Sequence, residues 1–286
     1  MSYDMKPAMW TTYFRELSPE DTVLAFVEAG FYHAEFSQED AQVLLDRGDP
    51  EKQGLAFKSF LEQQGFSMPQ AHLNFRNDIT LPETVDALKR EITLNQAIGV
   101  ENAVIHLNGG KELPTEQRWE KWLDAMDKLQ QFVKGTPFTL CIENLISNPL
   151  VHNCSQILEF ISQADRGNLG ICLDTGHLNA VTKEMGNETQ TQREFILQAG
   201  KYLRAVHING NNGAADLHLA PYTVGKSVDF KEVITALRQI GFRGIFNLEI
   251  PGESPKIAPL QVRKLKLSYL RQLLELMLQP GFCEVE

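Results

Sequence analysis

What this chain has little of narrows its class first. Four cysteines (Cys141, Cys154, Cys172 and Cys283) form no CxxC pair. Two of them sit inside apolar runs, which predicts free thiols in a reducing cytoplasm, not a disulfide framework. No apolar stretch approaches the roughly 20 residues of a bilayer span. "MSYDMKPAMW" lacks the positive region and apolar core of a signal peptide, so a cytoplasmic protein with no membrane partner is expected. Lysine and arginine number 27 against 37 acidic residues, and the net charge of -10 argues against sequence-independent nucleic-acid binding, which depends on neutralising phosphates. No GxGxxG or Walker loop follows the first apolar run, so nothing supports a nucleotide-binding sheet. There is also no linker or low-complexity tract, and residues 1–286 are read as one domain.

What is present is alternation. Short apolar runs trade places with amphipathic segments from end to end. "PAMWTTYF", "YHAEFS", "MPQAHLNF", "ENAVIHL", "FTLCIEN", "LGICLDTGH", "LRAVHING" and "GIFNLEI" read as eight strands. Helical patterns follow each of them. Ser18, Pro19, Asp21 and Gly30 mark the ends of the first helix. Residues 38 to 64 read as a single helix, and a loop of about 18 residues precedes "DFKEVITALRQIG". Eight strand–helix units in one chain of 286 residues predict an α/β protein, a single-domain (β/α)8 TIM barrel.

The polar residue at the end of each strand carries the chemistry. In order these are Glu35, His72, His106, Glu143, Asp174 (with His177 just beyond it), His207 and Glu249. They recur about once per strand–helix unit, and in a closed barrel such positions converge on the end where active sites of this fold lie. Carboxylates and imidazoles aimed at one point repel or desolvate one another unless a cation sits among them. Mixed His, Asp and Glu ligation suits Zn, Mn or Fe(II). A triplet repeats within the set: His72-Leu73-Asn74, His106-Leu107-Asn108, His177-Leu178-Asn179 and His207-Ile208-Asn209 account for four of seven histidines. In a strand, residues i and i+2 share a face, so His and Asn point into the barrel mouth while the apolar residue packs outward. The imidazole then ligates metal, and Asn74, Asn108 or Asn209 bonds a substrate hydroxyl or orients a ligand. Glu35 is read as a substrate contact or a residue behind the ligands. His33 and His152 fall outside the pattern and are read as structural.

"EAGFYHAEFS", "AIGVENAVIHLNGG", "LCIENL", "GICLDTGHL", "AVHINGN" and "FNLEI" together resemble the xylose-isomerase-like TIM barrels, a superfamily of sugar-phosphate isomerases, ketose epimerases and endonuclease IV. The resemblance runs from the first strand to the eighth. It implies one divalent metal held by Glu143, Asp174, His207 and Glu249. Glu143 and Glu249 would double as an acid/base pair on opposite faces of a ketose, passing a proton through a metal-stabilised enediolate. The substrate implied is a small sugar, sugar phosphate or related hydroxy-carbonyl compound, with His177 among its contacts. Endonuclease IV holds three zinc ions, and its further ligands match His72, His106, His177, Asp216 and His218. The alternative is therefore an endonuclease-IV-like phosphodiesterase with a multinuclear zinc centre, so the metal count expected runs from one to three ions, Zn or Mn. The cationic DNA-contacting loops of endonuclease IV have no counterpart in "PAMWTTYFRELSPED", so nucleic acid is not the expected partner. The chain also departs from the ketose 3-epimerases, because the arginine they carry after strand seven is missing. "APYTVGKSVDF" offers Lys226 there for a phosphate or carboxylate. A homo-oligomer is compatible with the sequence, which does not fix the number of copies.

Overall fold

Caps and side-chain alternation decide where each element begins. The structure, a computed structural model, describes residues 5–146, 148, 150–164, 167–180, 190–225 and 227–284. Eight parallel strands close into a barrel in sequence order: β1 (Lys6–Trp10), β2 (His33–Phe36), β3 (Ser67–His72), β4 (Asn102–Ile105), β5 (Thr139–Glu143), β6 (Leu169–Asp174), β7 (Leu203–Ile208) and β8 (Ile245–Leu248). The helices around them are α1 (Pro19–Ala29), α2 (Gln38–Asp46), α3 (Pro50–Gln63), α4 (Pro82–Ile98), α5 (Thr115–Val133), α6 (Cys154–Ala164), α7 (Thr175–Asn179), α8 (Gln192–Ala199), α9 (Phe230–Gln239) and α10 (Leu260–Leu278). The result is the expected (β/α)8 barrel. No described helix is long and apolar enough to cross a membrane.

Local chemistry sets the boundaries. The Ser18 side chain accepts from the Asp21 amide, Pro19 opens α1, and Gly30 closes it at φ 88, a conformation that only glycine adopts freely. Three sequence expectations are corrected. "TTYF" is not strand: Thr11–Phe14 forms a 3-10 turn. The single helix read over 38 to 64 is two, because Gly48 at φ 143 breaks the chain and Asp49 caps α3 with Pro50 at its start. "LGICLDTGH" is not strand to its end: β6 stops at Asp174, and Thr175–Asn179 is a helical turn capped by the Asp174 side chain.

Packing follows the pleat. Outward strand residues meet the helices in one core that includes Phe14, Phe26, Phe36, Phe138, Phe160 and Phe246. Inside the barrel, Val104, Cys141, Cys172 and Ala205 make a small apolar cluster of their own. Two residues along the same strands stand His106, Glu143, Asp174 and His207. Small side chains thus fill the axis below while polar ones project at the mouth. All four cysteines are free, as expected, with Cys141, Cys154 and Cys172 buried.

Candidate metal centre

The strand ends converge as the alternation requires. Asp174 pairs with His207 in the β6–β7 register, and Asn247 pairs with His207 across β7–β8. Glu143, Asp174, His207 and Glu249 each offer a ligand atom, all within 4.8 Å of one another. His72, His106 and Glu143 form a second such group, His177, Asp216 and His218 a third, and His72 also groups with His207 and Glu249. Glu143 belongs to two of them. The nine predicted ligand positions therefore lie together as four adjoining or overlapping groups. Asp216 and His218 reach the mouth because the loop after β7 folds back: Gly210 and Leu219 exchange backbone hydrogen bonds of 2.7 and 2.8 Å. His218 there holds φ 44, a left-handed conformation uncommon outside glycine that tends to cluster at functional sites.

Hydrogen bonding tests whether a cation fits. A carbonyl only accepts, so a ring nitrogen facing one carries the proton and leaves its other nitrogen to something else. His72 Nδ1 donates to the Leu73 carbonyl at 2.9 Å, His177 Nδ1 to that of Asn144 at 2.9 Å, and His218 Nδ1 to that of Glu249 at 3.0 Å. Their Nε2 atoms face carboxylates: His72 meets Glu143 Oε2 at 3.3 Å, and His177 and His218 meet the two oxygens of Asp216 at 3.3 and 3.1 Å. His106 Nε2 lies 2.6 Å from Glu143 Oε2. His207 Nδ1 faces Glu143 Oε1 at 3.2 Å and Glu249 Oε2 at 3.3 Å. A bare lone pair against a carboxylate oxygen is repulsive, so each such nitrogen holds either a proton or a metal ion. This is the arrangement of metal-ligating histidines, each oriented through its far nitrogen.

Charge says the same. Three carboxylates within 4.8 Å repel pairwise by about 3 kcal/mol at an effective dielectric near 20. Burial pushes Glu249 up to about 8, although His207 and His218 pull it down. Burial works the same way on Glu143, yet His207 and His106 hold its carboxyl well below the usual carboxylate range. Burial would lower His218, but its hydrogen bond to Asp216 holds it up at about 10. Protons on the imidazoles thus balance the carboxylates, and a divalent ion would displace them. The donor set fits Zn or Mn.

The residues expected at the substrate separate into different roles. Asn209 is fully buried and donates from Nδ2 to Asp174 Oδ2 at 2.7 Å. Asn74 caps its own turn, its Oδ1 accepting from the Arg76 amide at 3.0 Å. Asn108 donates to the Phe75 carbonyl and so ties the loops after β3 and β4 together. His177 stands on α7 above Asp174, whose Oδ1 accepts its backbone amide at 2.6 Å. Glu35 is wholly buried and faces His207 Nε2 at 2.8 Å. Lys226 lies outside the described residues. His33, paired with Ser67 Oγ at 2.8 Å, and His152, paired with the Leu145 carbonyl at 3.1 Å, stand away from these groups. The sequence reading missed Asn144, which accepts the Asp174 amide at 2.7 Å and donates to the Asp174 carbonyl at 3.0 Å. It also missed Phe75, whose ring packs 5.0 Å from His72 and 4.8 Å from His106. Both directly adjoin the motifs, and that adjacency is the only signal the sequence offers for them.

The family profile described as Xylose isomerase-like TIM barrel matches residues 23–273. The chain belongs to that family. This xylose isomerase-like barrel is 23% identical to a Mesorhizobium japonicum L-ribulose 3-epimerase over 252 residues, covering 84% of this chain and 78% of the relative. It is 23% identical to a Ruminiclostridium cellulolyticum D-psicose 3-epimerase over 159 residues, covering 51% of this chain and 49% of the relative. With two uncharacterised relatives the match spans 29% and 52% of their length. Among solved structures, a xylose isomerase domain protein from Alicyclobacillus acidocaldarius superposes at TM-score 0.78 with 14% identity, covering 98% of this barrel and all of its own chain.

Proposed function

We propose that this chain is a divalent-metal-dependent isomerase or epimerase of a small sugar, sugar phosphate or related hydroxy-carbonyl compound. One observation carries the reading. Glu143 and Glu249 stand in a single four-residue group with Asp174 and His207, their ligand atoms all within 4.8 Å of one another. Two carboxyls gathered at one mouth are suited to act as base and acid in one turnover. The relatives named as ketose 3-epimerases support the substrate class.

In this reading Glu143, Asp174, His207 and Glu249 hold the ion. When bound, it polarises the hydroxy-ketone and acidifies the C–H beside the carbonyl. Glu143, held ionised, takes the proton from carbon. Glu249 returns one to the opposite face. Asn209 and Asn144 keep Asp174 in place, and His177 contacts a substrate hydroxyl from α7. The test is deuterium incorporation from heavy water into a panel of free and phosphorylated ketoses. Glu143→Gln and Glu249→Gln are expected to abolish exchange at the epimerised carbon, and undiminished exchange in both refutes the assignment.

A second reading has its own observation. The group His72/His106/Glu143 shares Glu143 with the first, and His177/Asp216/His218 adjoins it, His177 Nδ1 lying 3.3 Å from Glu143 and His218 Nδ1 3.5 Å from Glu249. This is the layout of a multinuclear centre that stabilises both attacking and leaving oxygens of a phosphodiester. Elemental analysis separates the two. About one ion per chain favours the epimerase, and about three zincs with chelator-sensitive cleavage of abasic-site DNA favours the phosphodiesterase.

A further inference from the structure

We infer that Glu35 is the positioning residue that fixes which nitrogen of His207 faces the metal, and that it thereby sets the affinity of the centre for a divalent ion. The inference rests on the metal-centre reading above and adds a residue to it. His72, His177 and His218 are each oriented by a backbone carbonyl close by in the mouth. His207 is held differently. Its Nε2 faces Glu35 Oε2 at 2.8 Å, and Glu35 reaches it from β2, across the barrel from β7. Both side chains are fully buried. A buried carboxylate is expensive to desolvate where a neutral carbonyl would serve as acceptor, so its charge has a use. A carboxylate accepting from the far nitrogen makes the imidazole a stronger donor and locks its tautomer.

The surroundings leave this task to Glu35. The same Oε2 accepts from the Gln70 amide on β3, which fixes the carboxylate against rotation. Asn247, the register neighbour of His207 on β8, has neither amide atom bonded among the described residues. It therefore does not hold the ring. With Nε2 committed to Glu35, Nδ1 is turned toward Glu143, Glu249 and Asp174, at 3.2, 3.3 and 4.0 Å. Had Nδ1 been the anchored nitrogen, the donor of the four-residue group would be lost.

The experiment uses the full chain stripped of metal and titrated with Zn2+ or Mn2+ against a chromophoric competing chelator. Glu35→Gln keeps an acceptor oxygen and the side-chain shape, and is expected to weaken binding about tenfold. Glu35→Ala is expected to weaken it further, toward a hundredfold. A second measurement needs no variant: in 15N-histidine protein loaded with 113Cd, His207 should show metal coupling at Nδ1 and a protonated Nε2. Folded variants that bind with wild-type affinity, or coupling at Nε2, overturn the inference. Wild-type protein that takes up none of these ions instead overturns the metal-centre reading, and Glu35 with it.

Discussion

Glu91 on α4 is a carboxylate that the barrel hides away from the centre. It is 4% exposed, and its Oε2 accepts the backbone amide of Asn74 at 3.0 Å, bracing the turn that follows His72. Its Oε1 has no partner among the described residues. Burial pushes its pKa from 4.5 up to about 7, with the Asn74 amide and His72 pulling the other way. Between those two values the folded chain binds the proton and the unfolded chain does not. Stability contributed here therefore falls as pH rises from about 4.5, and levels off above about 7. At 1.36 kcal/mol per pH unit the whole effect is about 3 kcal/mol, of which roughly 2 to 3 kcal/mol develops between pH 5 and 8. Glu91→Gln keeps the acceptor for Asn74 and cannot ionise. Its unpartnered amide group adds an offset of about 1 to 3 kcal/mol that does not vary with pH. Urea unfolding of both proteins without metal, at pH 5 and pH 8, isolates the titration because groups not coupled to Glu91 cancel in the difference. The stability difference should move toward the Gln variant by about 2 to 3 kcal/mol across that range. A difference that stays constant with pH refutes the buried-carboxylate argument.

Further predictions concern packing around the mouth and the axis. A methyl group on Gly176 would overlap Asn209 Oδ1, so Gly176→Ala should cost about 1 to 3 kcal/mol in denaturant unfolding. Adding Asn209→Ala should recover part of that cost, and strictly additive effects would show that the two side chains do not meet. At Gly252 the obstacle is the Tyr13 carbonyl, which is backbone and yields less; Gly252→Ala should lower the melting temperature more than Gly176→Ala, and the reverse order would count against the loop geometry after β8. Because Cys141, Cys154 and Cys172 are buried and Cys283 is half-exposed, a thiol reagent should titrate one group in the native protein and all four in denaturant. More than one fast native thiol would contradict the packed barrel axis.

The repeating strand–helix pattern and its caps were legible because they are local. Ser18, Pro19 and Gly30 bound α1 by satisfying backbone groups within a few residues of themselves. The residues that converge at the mouth were legible because a period-two pleat fixes which strand residues face inward, and a parallel barrel puts all strand ends on one side. The break between α2 and α3 was less so, since Gly48 and Asp49 are tolerated in a helix pattern until their conformations are known. The roles of Asn74, Asn108 and Asn209 were not legible. Three copies of one triplet end in three different partners: a local turn, the neighbouring loop, and Asp174.

By itself the sequence determined the order of elements, the identity of the inward residues and the set of side chains able to hold a cation, because each depends on near neighbours along the chain. Only the tertiary structure decided that nine of them gather into adjoining groups, two of which share Glu143, that the loop after β7 folds back to deliver Asp216 and His218, and that Glu35 crosses the barrel to His207. Those facts depend on barrel closure, which sets strand tilt and height and brings together residues that no sequence spacing relates.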